Sequence, residues 1–145
     1  EVLFNKVAMR PGSVTTVSAL DDKLLFGLSG NPSACYSGFE LFVRPALNLM
    51  QDSILPFAPV IDAVLDEDFT KANPFSRFIR AELSYKEGKI YARPSGFNKS
   101  NAVTSIAKSN GVIVLPGGSR GFVTGDAVKV MMTDVTSGAD SFGVE

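Results

Sequence analysis

Leu28-Ser29-Gly30-Asn31-Pro32 follows an apolar run that begins at Leu24 and opens an amphipathic one. The stretch reads as a strand–turn–helix junction. Gly30 has access to backbone angles closed to other residues, and Asn31 is a strong N-cap. Pro32 suits the first helical position, because the amide it lacks would be unpaired there anyway. Beyond it Cys35, Phe39, Phe42, Val43, Ala46, Leu47 and Met50 recur at helical spacing, which predicts a helix over about 32–50. A glycine turn feeding a helix N-terminus presents free N–H groups and the positive end of the dipole, and so suits an anion. The same residues also read as nothing more than a well-capped helix start.

Just upstream stands Phe4-Asn5-Lys6-Val7-Ala8-Met9-Arg10-Pro11-Gly12. As a strand, period two puts Lys6, Ala8 and Arg10 on one face and Val7 and Met9 on the other. Two cations on one face, ended by a Pro-Gly turn, suit an anionic ligand. The competing reading is a solvated edge strand, where lysine discourages aggregation.

Composition narrows the classes. The 145 residues suffice for one domain or two small ones, and 45% hydrophobic content with 11 Phe indicates packed cores. A net charge of −1 gives no global attraction to nucleic acid, so an anion site has to be local. No apolar run approaches the ~20 residues that span a bilayer, and the opening residues do not read as a signal peptide. With no His and one Cys, a protein-built zinc site, a Ser-His-Asp triad and an internal disulfide are excluded. Cys35 falls on the apolar helical stripe and is expected in the core; an unpaired thiol suits a reducing cytoplasm.

The first half predicts strands over about 3–10, 14–20 and 24–28, with Asp21-Asp22-Lys23 as a tight turn, and then the helix. Pro45 falls inside the helical pattern and should kink it or mark where its last turns realign. Three strands and one helix are too little for an α/β layer covered on both faces, so residues 1–55 read as the C-terminal part of a larger α/β domain. Asp52, Ser53, Pro56 and Pro59 mark a boundary. Residues 56–145 then predict short strands at Val60–Leu65, Phe78–Tyr85, Ile90–Arg93, Val112–Leu115 and Ala127–Met132, a small antiparallel barrel or sandwich. Lys86-Glu87-Gly88-Lys89 is a hairpin turn, and 101–109 predicts one or two helical turns closed by Asn110-Gly111. Asp62, Asp66, Glu67 and Asp68 cluster beside the first barrel strand; such a run reads as a magnesium site or as a solvated strand end.

The order Lys-x-x-x-Arg-Pro-Gly, a hairpin, Leu-x-Gly-Asn-Pro and a helix ending near Val43-Arg44-Pro45-Ala46-Leu47 resembles the MoeA-type molybdopterin molybdenumtransferases, the gephyrin E domain included. The resemblance continues through Ser95-Gly96, Ser100, Ser105, Asn110-Gly111 and the strand before Pro116. It implies a MogA-like molybdopterin-binding α/β portion ahead of the barrel. It further implies insertion of molybdate into adenylylated molybdopterin with release of AMP, with magnesium, in a cytoplasmic homodimer. By the resemblance, the substrate contacts are Lys6, Arg10, Pro11, Gly12, Ser29, Gly30, Asn31, Pro32, Arg80 and Ser100. The family's catalytic acidic residues come from a part outside this sequence, so none is transferred.

Ser29 stands where the family has proline, Ser13 where a lysine is common, and Phe75 where an arginine belongs. Arg77 is a candidate replacement, but period two turns it away from Arg80, so the two should not line one site without a bulge. Two other readings compete. One is a non-catalytic molybdopterin-binding or scaffold module. The other is an adenylyltransferase of the related fold, against which the added β domain argues.

Overall fold

The computed structural model describes residues 1–95 and 102–133. In chain order these hold strands β1 (Val2–Phe4), β2 (Met9–Arg10), β3 (Thr16–Leu20) and β4 (Lys23–Gly27), then helix α1 (Pro32–Gly38), a π-helical turn (Phe39–Val43) and helix α2 (Arg44–Met50). There follow β5 (Val60–Leu65), β6 (Ser76–Lys86), β7 (Lys89–Pro94), helix α3 (Ala102–Lys108), β8 (Gly111–Leu115) and β9 (Ala127–Met132).

Strands β5 to β9 close on themselves. Their order is β6-β7-β5-β9-β8, and β8 pairs back onto β6. The ring is antiparallel except where β5 runs parallel to β7. Its interior follows the period-two pattern: Ala63 and Leu65 of β5, Ala81 of β6, Ala92 of β7, Ile113 and Leu115 of β8, and Val128 and Val130 of β9 form one buried cluster. A five-stranded barrel is narrow, and the three inward alanines are what let its far walls meet the branched residues. Phe69 joins the cluster at one end, held by paired backbone bonds with Phe122. The β6–β7 turn has Glu87 at φ 50° and Gly88 at φ 77°, the twin positive angles of a tight hairpin that matches strand twist.

The N-terminal residues form a separate three-stranded sheet, β1-β3-β4, with β3 and β4 joined through Asp21-Asp22. The expected continuous strand over 3–10 is not there. It breaks after Phe4, and Met9–Arg10 leaves that sheet to pair in parallel with β6, Met9 opposite Ser76 and Arg10 opposite Arg77. Burial of Met9, 2% exposed, anchors the crossing. Lys6 therefore lies in the irregular stretch between β1 and β2, and it does not share a strand face with Arg10.

Pro45 has the effect expected of it. The helix runs from 32 to 50, but the turn ahead of the proline widens, and the Arg44 N–H bonds to the Phe39 carbonyl instead of one residue nearer. That register relieves the clash a ring makes with the carbonyl four residues back. Cys35 is half-buried, not a core residue, because the core-facing positions of α1 are Ala34, Ser37 and Gly38. Residues 51–59 connect α2 to β5 without regular structure.

Candidate functional site

A cleft of about 480 Å³ opens where β2 crosses to the barrel. Arg10, Pro11, Gly12 and Ser13 form one wall; Phe69 and the β6 stretch from Arg77 to Arg80 form the other, with Ser33 of α1 closing the rim. Gly12 is required by this geometry. Its φ is +100°, and a Cβ there would sit 2.6 Å from Met9 Cε and 3.3 Å from the Ala34 carbonyl. The Thr15 hydroxyl donates to the Gly12 carbonyl at 2.8 Å and fixes the turn from beneath.

Three arginines face this space, and among the described residues none of them forms an ion pair and no carboxylate lines the cleft. Arg80 is 6% exposed. Its Nη2 donates to Ser105 Oγ at 2.8 Å, while its Nε is buried with no partner among the described residues. Burial pushes its pKa below the usual arginine value, and the nearby Tyr36 works against that; a guanidinium stays charged regardless. Arg77 lies over the Phe69 ring, with Cζ 5.0 Å from the centroid, and its Nε is likewise buried and unpartnered among the described residues. Its pKa is lowered by burial and by the repulsion of Arg10. Arg10 in turn lies over the Phe75 ring at 5.5 Å. Such an arrangement holds positive charge in place with little of its own to neutralise it, as an anion site requires.

The structure thus brings together Arg10, Pro11, Gly12 and Arg80 from the residues expected at the site. It does not bring Lys6, Ser29, Gly30, Asn31 or Pro32 to the cleft wall. Asn31 does cap α1, accepting from the N–H groups of Ser33 at 3.0 Å and Ala34 at 3.3 Å. That carboxamide occupies the donors an anion would have used. Gly30 has an ordinary φ, and a Cβ on it would meet nothing within 4 Å, so the turn does not use the backbone angles reserved to glycine. Ser100 lies outside the described residues.

Arg77 and Arg80 line one cleft without a bulge, against expectation. The β6–β8 register is regular from Arg77 opposite Leu115 to Ala81 opposite Gly111. Arg77 is on the inward face, but at this level Phe69 plugs the barrel, so the inward face opens onto the cleft instead of the core. Ser33, Phe69 and Ser105 were missed as site residues. Ser105 already stood in the family pattern, with no role assigned to it.

The acidic run does not fit a magnesium ion. Asp62 pairs with Lys129 at 2.7 Å, Asp66 with Arg93 at 2.9 Å, and Asp68 accepts from the Thr124 N–H and hydroxyl, each at 2.7 Å. Among the described residues no three potential ligands gather. No described helix is long and apolar enough to cross a membrane.

Residues 62–132 match the family described as the MoeA C-terminal region (domain IV). Those residues form a MoeA-type C-terminal region. It is 60% identical over 134 residues to the molybdopterin molybdenumtransferase of Staphylococcus aureus (strain COL), covering 92% of this chain and 32% of that protein. It is 56% identical over 137 residues to the protein of the same name in Staphylococcus epidermidis (strain ATCC 35984), covering 94% and 33%. The chain therefore spans about a third of the length of the curated relatives it matches. Among solved structures, the molybdopterin biosynthesis MoeA protein of Pyrococcus horikoshii superposes with a TM-score of 0.76 at 26% identity, over 91% of this chain and 32% of that one.

Proposed function

We propose that this chain is the C-terminal portion of an enzyme that inserts molybdate into adenylylated molybdopterin and releases AMP. In this reading residues 1–55 complete a MogA-like molybdopterin-binding α/β domain and residues 56–145 are the barrel domain beside it. The whole protein is a cytoplasmic homodimer acting on small-molecule substrates. The observation that carries the reading is the buried Arg80, uncompensated by any described carboxylate, at the wall of a cleft shared by both segments.

Molybdate is a dianion and the adenylylated substrate carries phosphates, and such groups are costly to desolvate unless matched by fixed donors. Arg80 supplies one, held by Ser105 so that it need not reorganise when the anion arrives. Arg10 and the turn at Pro11-Gly12 bring a second cation from the opposite wall. These residues bind and orient; none is a nucleophile or a metal ligand. Magnesium and the proton-transfer groups would come from outside this chain, which is therefore expected not to insert molybdenum by itself.

The test is an insertion assay on the full-length protein with adenylylated molybdopterin and molybdate, comparing wild type with Arg80→Met. A rise of tenfold or more in KM for either substrate is expected. Unchanged kinetics would remove Arg80 from the site. A wild-type protein that binds molybdopterin yet never turns over would favour the scaffold reading.

A further inference from the structure

Phe69 closes the barrel at the end next to the arginine cleft. Among the described residues no counterpart closes the other end. There a cavity of about 270 Å³ is ringed by Leu83 of β6, Ile90 of β7, Ile61 of β5, Met132 of β9 and Asn110 at the foot of β8, so every strand contributes to its rim. The four apolar residues are half-buried, and none of the lining side chains is charged. Beside the cavity the barrel wall is incomplete. β6 pairs with β8 only as far as Ala81 opposite Gly111, but runs on with β7 to Lys86 opposite Lys89. Asn110 stands in for a strand residue over one step: its Oδ1 accepts from the Leu83 N–H at 2.7 Å, and its Nδ2 donates to the Leu83 carbonyl at 3.4 Å. Period two turns the N–H and C=O of Tyr85 to that same side, where the described residues offer no strand, and Tyr85 is 73% exposed.

We propose that this open end docks an extended segment of a partner protein, with an apolar side chain seated in the cavity and acidic residues next to it in sequence. The segment adds to β6 as a short strand at Tyr85, its main chain giving direction and the cavity selecting the side chain. Alternation fixes the pattern. Ala81 faces the core and Leu83 and Tyr85 share its face, so a side chain set beside them points into the cavity. Its neighbours point outward, to the face that carries Lys86. Lys86 lies directly opposite Lys89, with Glu87 between them in the turn, and neither lysine forms an ion pair among the described residues. Like charges so placed repel, and an acidic residue on the added strand relieves them. Lysines alone would serve to keep a bare edge from aggregating, but that role does not call for an apolar cavity beside the edge. The cavity is at the far end of the barrel from the arginine cleft, so this inference does not rest on the proposed function.

The probes are four labelled five-residue peptides, blocked at both ends, with phenylalanine, tyrosine, leucine or isoleucine in the middle and a glutamate on either side of it. Fluorescence anisotropy follows their titration with the full-length protein. At least one should bind saturably, and alanine at its centre should weaken it about tenfold or more, the loss of a buried apolar side chain. Ile90→Lys, which sets a charge in the cavity, should weaken it to a similar extent. The double variant Lys86→Glu, Lys89→Glu should prefer lysine-flanked peptides, reversing the wild-type order. Both lysines are exposed, so this variant keeps the test open if Ile90→Lys fails to fold. No saturable binding by any of the four peptides overturns the proposal, and so does binding that neither variant alters. Binding that appears only once residues 134–145 are removed gives the cavity to this chain's own segment. Self-association abolished by Ile90→Lys gives it to a second copy. Either result overturns the partner.

Discussion

Arg80 and Ser105 lie 25 residues apart in sequence and meet through an Nη2–Oγ hydrogen bond of 2.8 Å between two buried side chains. Ser105→Ala deletes the acceptor and leaves a further buried donor on the guanidinium. An unsatisfied buried donor costs about 1–3 kcal/mol, more when charged. Arg80→Met removes the charge altogether and replaces it with apolar volume, so it should cost less stability than Ser105→Ala while abolishing the anion contact. Urea denaturation of both variants orders them; the reverse order would mean the arginine is held mainly for packing.

Gly12 and Gly30 should respond in opposite ways to alanine. At Gly12 the positive φ and the 2.6 Å approach to Met9 Cε both oppose a Cβ, and a loss of about 1–3 kcal/mol is expected. At Gly30 neither obstacle exists, and the change should stay within about 0.5 kcal/mol. Chemical denaturation of the two variants decides this, and equal losses would overturn the assignment of the steric glycine.

Pro45→Ala should stabilise by clearly less than the ~3 kcal/mol that separates proline from alanine inside a regular helix. The π-helical turn already places the Arg44 N–H on Phe39 and relieves the ring. A gain near the full value in thermal or urea unfolding would show that the turn is no accommodation.

Asp68 sets a pH dependence with a definite sign. Hydrogen bonds from the Thr124 N–H and hydroxyl hold its carboxyl below the ordinary value of 3.8 in the folded protein. A depressed folded pKa adds stability that is fully present above the unfolded value and is lost as pH falls through the folded one. The melting difference between wild type and Asp68→Ala should therefore be flat from roughly pH 5 to 8 and shrink as pH drops below 3.8. A difference that grows on acidification would contradict the assignment.

The barrel was legible because its inner positions alternate over at least five residues in every strand, and Glu87-Gly88 announces its hairpin. Asn31 and Pro32 marked the helix start for the same reason: capping chemistry is local. What escaped was non-local. Met9–Arg10 is a two-residue strand whose pairing with β6 leaves no periodic trace, so Lys6 and Arg10 were placed on one face that does not exist. The face rule failed for Arg77 and Arg80 because it assumes a continuous core behind the strand, and Phe69 ends that core one level too soon. Gly30 carried a conformational argument that belonged to Gly12, where a positive φ depends on how closely α1 approaches.

The short β2–β6 rung also makes the cleft a joint property of two stretches of chain, since Arg10 to Ser13 come from one side of residues 51–59 and Phe69 to Arg80 from the other. Whatever binds there is therefore thermodynamically coupled to the crossing of β2. By reciprocity, the factor by which an intact crossing tightens the ligand is the factor by which the ligand tightens the crossing. An occupied cleft is then a reversible fastener between the N-terminal sheet and the barrel, and the readiness of β2 to peel away becomes a gauge of occupancy.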